Sequence, residues 1–498
     1  MPTTDIRVDL GDALDPLVLA LDVGSTASRG GLYDAAGRPV RGRRHKVAHQ
    51  FTTATDGRSE IDPDQVVREI EEILTALAVE PLTGRIAGVA MDTFASSLVG
   101  VDAEGRPLTP CFTYADSRCA PQVGALRREL DEREVQQRTG TRLHTSYLPA
   151  RLRWLRESAP ETFARVDRWL SLGEYVHLQI LGRTAVGTST AAWTGMLDRR
   201  TGAWDAELLA ACGVRPEQLS EIRDPDRPLS ASDAAGRRWP ALAGAAWFPV
   251  ITDGFASNVG AGAADASTIA AAAATSGAMR VLAPGIPDEI PAGLWCYRVD
   301  SSRSLLGGAL NDVGRVLAWL ETTVKVPEDA DLGAVLAAAP EPSTPAVLPF
   351  LTGERSTGWA ANARAVMADV SVATTPAMMV RGAMEGVALA YARVADQLAS
   401  AAGRPQRIVA SGRVTQDVPT WLQVLADAIG APVDHVTMKR TTLHGTALVA
   451  LEVLAPDVPR AAVEIGGSYE PVPAHAEHYA GRKARFQALY DAVVAPSA

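Results

Sequence analysis

Cysteine is scarce. Four residues in 498 (Cys111, Cys119, Cys212 and Cys296) show no C-x-x-C spacing. That argues against a disulfide framework or a cysteine-built zinc site and leaves each as a small buried apolar side chain. Basic charge is also short: 48 Lys and Arg stand against 58 Asp and Glu, a net −10 at neutral pH. Such a balance offers no broad cationic face for a polyanion, so nucleic acid is not the expected partner. Long apolar runs are missing as well. The most apolar stretch, TIAAAAATSGAM, is broken by Thr, Ser and Gly and falls well below the roughly 20 residues a membrane span needs. The acidic opening MPTTDIRVDLGDALD lacks the apolar segment of a signal peptide. No membrane role and a cytoplasmic location are expected.

What is present is a chain with 47% hydrophobic and 21% charged residues, ordinary for a globular protein. One core rarely grows past roughly 250–300 residues, so this length implies at least two domains. LVLALD at 17–22 reads as a buried strand ending at a Gly/Ser/Thr loop, with GGLYD and a segment from Val40 as further strands. Asp62 is a plausible N-cap with Pro63 at the first helical position, and Val66, Val67, Ile70, Ile73, Leu74 and Leu77 share one face. IAGVAM (86–91) is strand-like and precedes a hairpin through Val101, Gly105 and Leu108. Residues 120–245 read as mostly helical. Near residue 246 the pattern restarts: WFPVITDG is strand-like, and TIAAAAATSGAMRV is a strand–turn–strand in which TSGAMR echoes GSTASR at 24–29. A long helix capped by Thr375 and Pro376, then RIVASG, a helix through Trp421 and Leu425, and APVDHV complete the chain. This alternation argues α/β, with two similar halves, 1–246 and 247–498.

The sharpest feature is Asp22-Val-Gly24-Ser25-Thr26-Ala-Ser28-Arg29, a buried strand ending in a carboxylate and a small-residue turn. Gly24 lets a ligand approach the backbone, Ser25 and Thr26 offer donors, Arg29 supplies charge, and Asp22 suits Mg²⁺ through water. One such loop alone is better read as a plain hairpin turn. Its repetition at Thr275-Ser276-Gly277 favours two loops facing across a cleft and clamping one triphosphate. Asp253 ends the first strand of the second half, where a carboxylate can accept the proton of an attacking hydroxyl; a capping aspartate is the plainer alternative.

The ordered set LDVGSTASRGGLYD, TYADSR, TDGFASNVGAG, ATSG, GGALND, LPFLTGERS, EGVALAY and SGRVTQDVPTWLQVLADAIG resembles the FGGY carbohydrate kinases over about residues 17–455. FTYADSR, GGALND and GERSTGW are most similar to the gluconate-kinase-like and xylulokinase-like branch. The resemblance implies two ribonuclease-H-like (actin-like) domains with a cleft between them, closing on a sugar and MgATP, with a homodimer as a further possibility. It assigns Asp22 to Mg²⁺ and Asp253 to base catalysis. Gly24, Ser25, Thr26, Arg29, Thr275 and Gly277 would cradle phosphates, and Gly308, Asn311, Ser411, Gly412 and Arg413 would line the nucleotide site. Phe94, Ser96, Tyr114, Asp116 and Arg118 would shape the sugar pocket beside Asp253.

Departures from the family pattern fall mostly on the nucleotide side. Ala274 stands where the second phosphate loop usually begins with Gly. The paired glycines after the SxG strand become Gly412-Arg413, and the Glu-Ala-Ser-x-Arg-Gly stretch becomes Arg440-Thr-Thr-Leu-His444-Gly445. Thr357 replaces a proline, Asn362 an aspartate, and Ser96 a sugar-facing histidine. The leading expectation is ATP-dependent phosphorylation of a hydroxyl on a small sugar or sugar acid, gluconate- or ketopentose-like. The rival is a kinase fold that has lost nucleotide and does acid/base chemistry on a polyol-like or natural-product substrate. Arg413 with Ala274 discriminates between them.

Overall fold

A computed structural model describes residues 6–324 and 331–495; the first five residues of the acidic opening lie outside it. Two seven-stranded sheets organise the molecule. The first is built around the parallel pair Leu17–Val23 and Ile86–Thr93, extended on one side by the antiparallel strands Ala27–Tyr33 and Pro39–Ala48. Strand Leu17–Val23 is apolar but for Asp22 because both its faces are covered. Leu17, Leu19, Leu21 and Val23 pack with Ile70, Ile73 and Leu74 of helix Pro63–Leu77. Val18 and Ala20 pack instead with Leu443, Ala447, Ala450 and Leu451 of helix Thr441–Leu454. Asp22 is the next residue on that second face. Asp62 does cap its helix, accepting from the Asp64 amide at 3.0 Å, with Pro63 at the first position.

The second sheet centres on Thr268–Ala273 and Gly277–Pro284, flanked by Arg303–Leu310 and Arg407–Ser411. The 27-residue helix Pro376–Ala402 covers it, capped by the Thr375 hydroxyl, and contributes Met384, Val387 and Tyr391 to its core. Chain halves are not fully segregated. Ala246–Trp247 and Ile251–Thr252 both pair in parallel with Ile86–Thr93 of the first sheet, and membership of the second sheet begins at Thr268.

Between the sheets, helices Asp253–Gly260 and Thr441–Leu454 cross in backbone contact. A Cβ on Gly260 would lie 1.8 Å from the Thr441 carbonyl oxygen, and one on Gly445 would lie 1.8 Å from that of Ala256. Only glycine permits this crossing; both helices come from the second half of the chain, and Thr441–Leu454 also packs on the first sheet. No helix among the described residues is long and apolar enough to cross a membrane.

Candidate active site

Parallel pairing builds the centre of the cleft. Asp22 and Asp92 are register partners on adjacent strands, and Thr252 is the partner of Thr93, so Asp253 follows at the same sheet end as the first residue of its helix. Three carboxyl groups thus meet where parallel strands end, the position at which open α/β sheets bind ligands. Asp92 was absent from the sequence-based site. Its strand reads as the apolar run IAGVAM, and only the register with Asp22 marks the next residue as part of the cleft.

Asp92 is fully buried; one oxygen accepts from the Thr446 hydroxyl at 2.5 Å and Oδ1 has no partner. Burial, and then the charge of Asp22, hold its carboxyl well above the usual range. Asp22 is raised by burial too, against the opposing Arg29 guanidinium, whose Nη1 lies 3.2 Å from Oδ2. Two facing carboxyls with an orphaned oxygen form a hard-oxygen donor set that fits a divalent cation keeping most of its water and phosphate ligands. Burial pushes Asp253 up to about 6, opposed by Arg280 and reinforced by Asp22. Its Oδ1 accepts from the Gly254 amide at 2.7 Å.

The two hairpin tips, expected from the sequence to meet the phosphates, are held differently. His49 bridges the Gly24 carbonyl and the Glu69 carboxylate, at 2.8 Å each, fixing the first loop. In the second, the Val313 and Arg315 amides donate to the Thr275 carbonyl and the Gly314 amide to that of Ala274. Gly277 is obligatory, since a Cβ there would fall 2.0 Å from the Tyr391 hydroxyl, which donates to the Ala272 carbonyl. Ser411 pairs with Ala272, and Gly412 (φ 117°) presses against the Ala273 carbonyl. Arg413 does not enter the cleft: it opens a short helix, its side chain is 85% exposed, and its Nε donates to Asp417 at 3.0 Å. Asn311 fastens a loop by donating to the Thr352 and Gly353 carbonyls, and the α-hydrogen face of Gly308 is covered by Val394 and Ser356.

A cavity of about 210 Å³ opens beside Asp253. Trp193 and Tyr297 form one wall, stacked 3.6 Å apart, and the Tyr147 and Tyr297 hydroxyls lie within 2.6 Å of each other. Tyr114, 42% exposed, stands at the rim. Ser96 lines the cavity in a left-handed conformation, with its hydroxyl committed to the Trp193 carbonyl at 2.6 Å. Phe94 lies behind, between Phe51 and Tyr114. Asp116 and Arg118 are not in the lining: Asp116 is buried and accepts from the Ser59 amide, while Arg118 bridges it to Glu60 and lies over Trp154. Two arginines that sequence reasoning did not single out, Arg280 and Arg355, do line the cavity, and the Nε of each is buried without a partner. Mid-strand Arg280 carries no local sequence signal of this role.

The N-terminal domain description of the FGGY family of carbohydrate kinases matches residues 17–238, and its C-terminal domain description matches 286–452. Gluconokinase of Bacillus subtilis (strain 168) is 24% identical over 454 residues, 87% of each chain. Xylulose kinase of Escherichia coli (strain K12) is 26% identical over 393 residues, covering 76% of this chain and 78% of its own. Gluconate kinase from Lactobacillus acidophilus superposes with a TM-score of 0.87 at 25% identity, over 96% of this chain and 98% of that one.

Proposed function

The chain belongs to the FGGY family of carbohydrate kinases, and on that premise we propose that it transfers the γ-phosphoryl group of ATP to a hydroxyl of a small sugar acid. The observation that carries an acid over a neutral sugar is the pair Arg280 and Arg355, two guanidiniums in one small cavity with unpartnered Nε–H groups beside Asp253. A guanidinium fork matches a carboxylate in two parallel hydrogen bonds. Aromatic faces of Trp193 and Tyr297 suit the C–H faces of a carbon chain lying between that carboxylate and the reacting hydroxyl.

Asp253 accepts the acceptor's hydroxyl proton as its oxygen bonds to the γ-phosphorus, and the bond to ADP breaks with its electron pair leaving on ADP. Mg²⁺, held by Asp22 with Asp92 beside it, would neutralise charge on the phosphates. Backbone of Gly24–Thr26 and Thr275–Gly277 cradles those phosphates, with Arg29 alongside and Ser411 and Gly412 next to the second tip. Arg413, turned outward onto Asp417, leaves the nucleotide its room. The two halves close over the cleft that holds Asp22 and Asp253, which excludes water as a competing acceptor. Tyr114 and Ser96 border the acceptor, while Asp116 and Arg118 support the rim from beneath.

The test is ADP release with MgATP across a panel of aldonic acids, neutral ketoses and glycerol. At least one aldonate is expected to exceed every neutral compound about tenfold or more in kcat/KM. A neutral ketose as the best substrate removes the acid assignment, and absence of ADP release with all of them removes the kinase reading.

A further inference from the structure

Beside the first hairpin, an acidic protein concentrates positive charge. A cavity of about 280 Å³ lies between strands Ala27–Tyr33 and Pro39–Ala48 and the start of helix Thr441–Leu454, lined by Arg29, Arg44, His45, Lys46 and Arg440. A neighbouring cavity of about 340 Å³ shares Arg44 and Arg440 and adds Lys439, with Glu464 as its one carboxylate. His45 is engaged by Glu72 and Arg29 by Asp22. Among the described residues Arg44, Lys46, Lys439 and Arg440 make no ion pair. The charge of Arg440 is disfavoured by burial and by Arg44 and Arg29. The adjoining helix has no side-chain cap; Arg440 precedes it in a left-handed conformation, φ 65°, so its first-turn amides add to the positive potential.

Like charges gathered around a cavity repel one another, and in a chain of net −10 counter-charge was available and is not there. We propose that this cavity binds the phosphate group of a small anionic metabolite, distinct from the nucleotide held at the hairpin tips. Two guanidiniums, of Arg44 and Arg440, and the Lys46 ammonium on one cavity match the several oxygens of a phosphate dianion. The bound anion reaches the reaction through Arg29, the one lining residue whose guanidinium also contacts the Asp22 carboxylate. An anion drawing Arg29 outward loosens that contact and frees Asp22 for the cation, so occupancy of the cavity lowers the divalent-cation concentration needed for half-maximal rate.

Calorimetry on the full chain, saturated with a non-hydrolysable ATP analogue and Mg²⁺, tests this with pyrophosphate, inorganic phosphate and glucose 6-phosphate as probes. Heat of binding at one site per chain is expected for at least one probe. Heat from the inorganic anions alone points to a free phosphate source, and heat from glucose 6-phosphate points to a phosphorylated metabolite. Arg440→Glu and, as a milder variant, Arg44→Ala should each weaken that binding at least tenfold while leaving KM for ATP within about twofold. No heat from any probe overturns the site. Equal losses in probe binding and ATP binding also overturn it, because the cavity then belongs to the nucleotide. Neither outcome touches the kinase reading, which the ADP-release assay judges separately.

Discussion

The two hairpins that face the cleft share a plan and divide the labour. In the first, Asp22 and Arg29 are cross-strand partners, so carboxylate and guanidinium meet 3.2 Å apart at the tip. In the second, the strand arrives as Ala271, Ala272, Ala273 and Ala274, with no charged side chain at the tip, and its arginine, Arg280, sits three residues down the return strand opposite Ala270. A shift of position along one strand sends Arg29 to Asp22 and Arg280 into the cavity beside Asp253. On the proposed assignment, the same strand–turn–strand would supply electrostatics for the donor in one copy and for the acceptor in the other. It also leaves the second tip as bare backbone, which a polyphosphate can approach closely.

The largest expected effect lies at the carboxylate the second arginine faces. Asp253→Asn keeps the shape and removes the base, so kcat/KM should fall about 10²–10⁴-fold with the fold intact. With the carboxyl near 6, wild-type kcat/KM should drop about tenfold per pH unit below that value, since only the ionised form accepts a proton. The same shift has a stability consequence. A carboxyl whose folded value is raised above its ordinary 3.8 is penalised on ionising, a loss that is absent below about pH 4, grows toward pH 6 and is constant above. Its size is roughly 2–3 kcal/mol by linkage. Asp253→Asn should therefore raise Tm at pH 7.5 and leave it unchanged at pH 4; equal Tm at both values would contradict the penalty.

Swapping the two arginines for glutamine separates donor from acceptor most directly. Arg280→Gln should raise KM for the sugar acid about 10–100-fold, the worth of a charge-assisted hydrogen-bond pair, with KM for MgATP little changed. Arg29→Gln should do the reverse, raising KM for the nucleotide through the lost phosphate-side cation and sparing the acceptor KM, while the freed Asp22 lowers the Mg²⁺ concentration required. Parallel shifts in both constants for both variants would break the division of labour.

Glycines at the tips should also differ. Gly277→Ala drives a methyl into the Tyr391 hydroxyl and should destabilise by about 1–3 kcal/mol in urea unfolding, partly relieved by adding Tyr391→Phe. At Gly24 the nearest atom to a new methyl is the mobile Nη1 of Arg29, at 3.1 Å, so Gly24→Ala should cost under ~1 kcal/mol. If the two substitutions destabilise equally, the second tip is no more tightly packed than the first.

Features carried by contiguous residues were legible in the sequence. The Asp22–Arg29 loop, its echo at Thr275–Gly277, the Asp62–Pro63 and Thr375–Pro376 helix starts and the α/β class all follow from local chemistry. What register or side-chain direction decides was not. Asp92 needs the pairing of Ile86–Thr93 with Leu17–Val23, and Arg280 and Arg355 need to be seen converging from separate segments on one cavity. TYADSR reads as a polar substrate motif, yet the turn after Phe112, closed by the Asp116 amide on the Thr113 carbonyl, leaves Tyr114 at the rim and folds Asp116 and Arg118 under it. The crossing of helices at Gly260 and Gly445 joins residues nearly two hundred positions apart, a distance no periodicity reports.

Arg413 carries the smallest expected effect and a useful one. A long cation directly after Gly412 reads as an obstruction to the nucleotide or as a stacking partner for its base, and those alternatives predict opposite consequences of its removal. Neither matches the side chain's direction. Gly412, at φ 117°, turns the chain so that residue 413 starts a helical turn away from the Ala273 carbonyl, and the guanidinium is spent on Asp417 one turn later. An exposed pair of this kind is worth only a few tenths of a kcal/mol. Arg413→Gly should therefore leave the affinity for MgADP within about twofold by calorimetry, neither strengthened by lifting an obstruction nor weakened by losing a stacking partner. A tenfold change in either direction would mean that the guanidinium swings back over the nucleotide when the halves close.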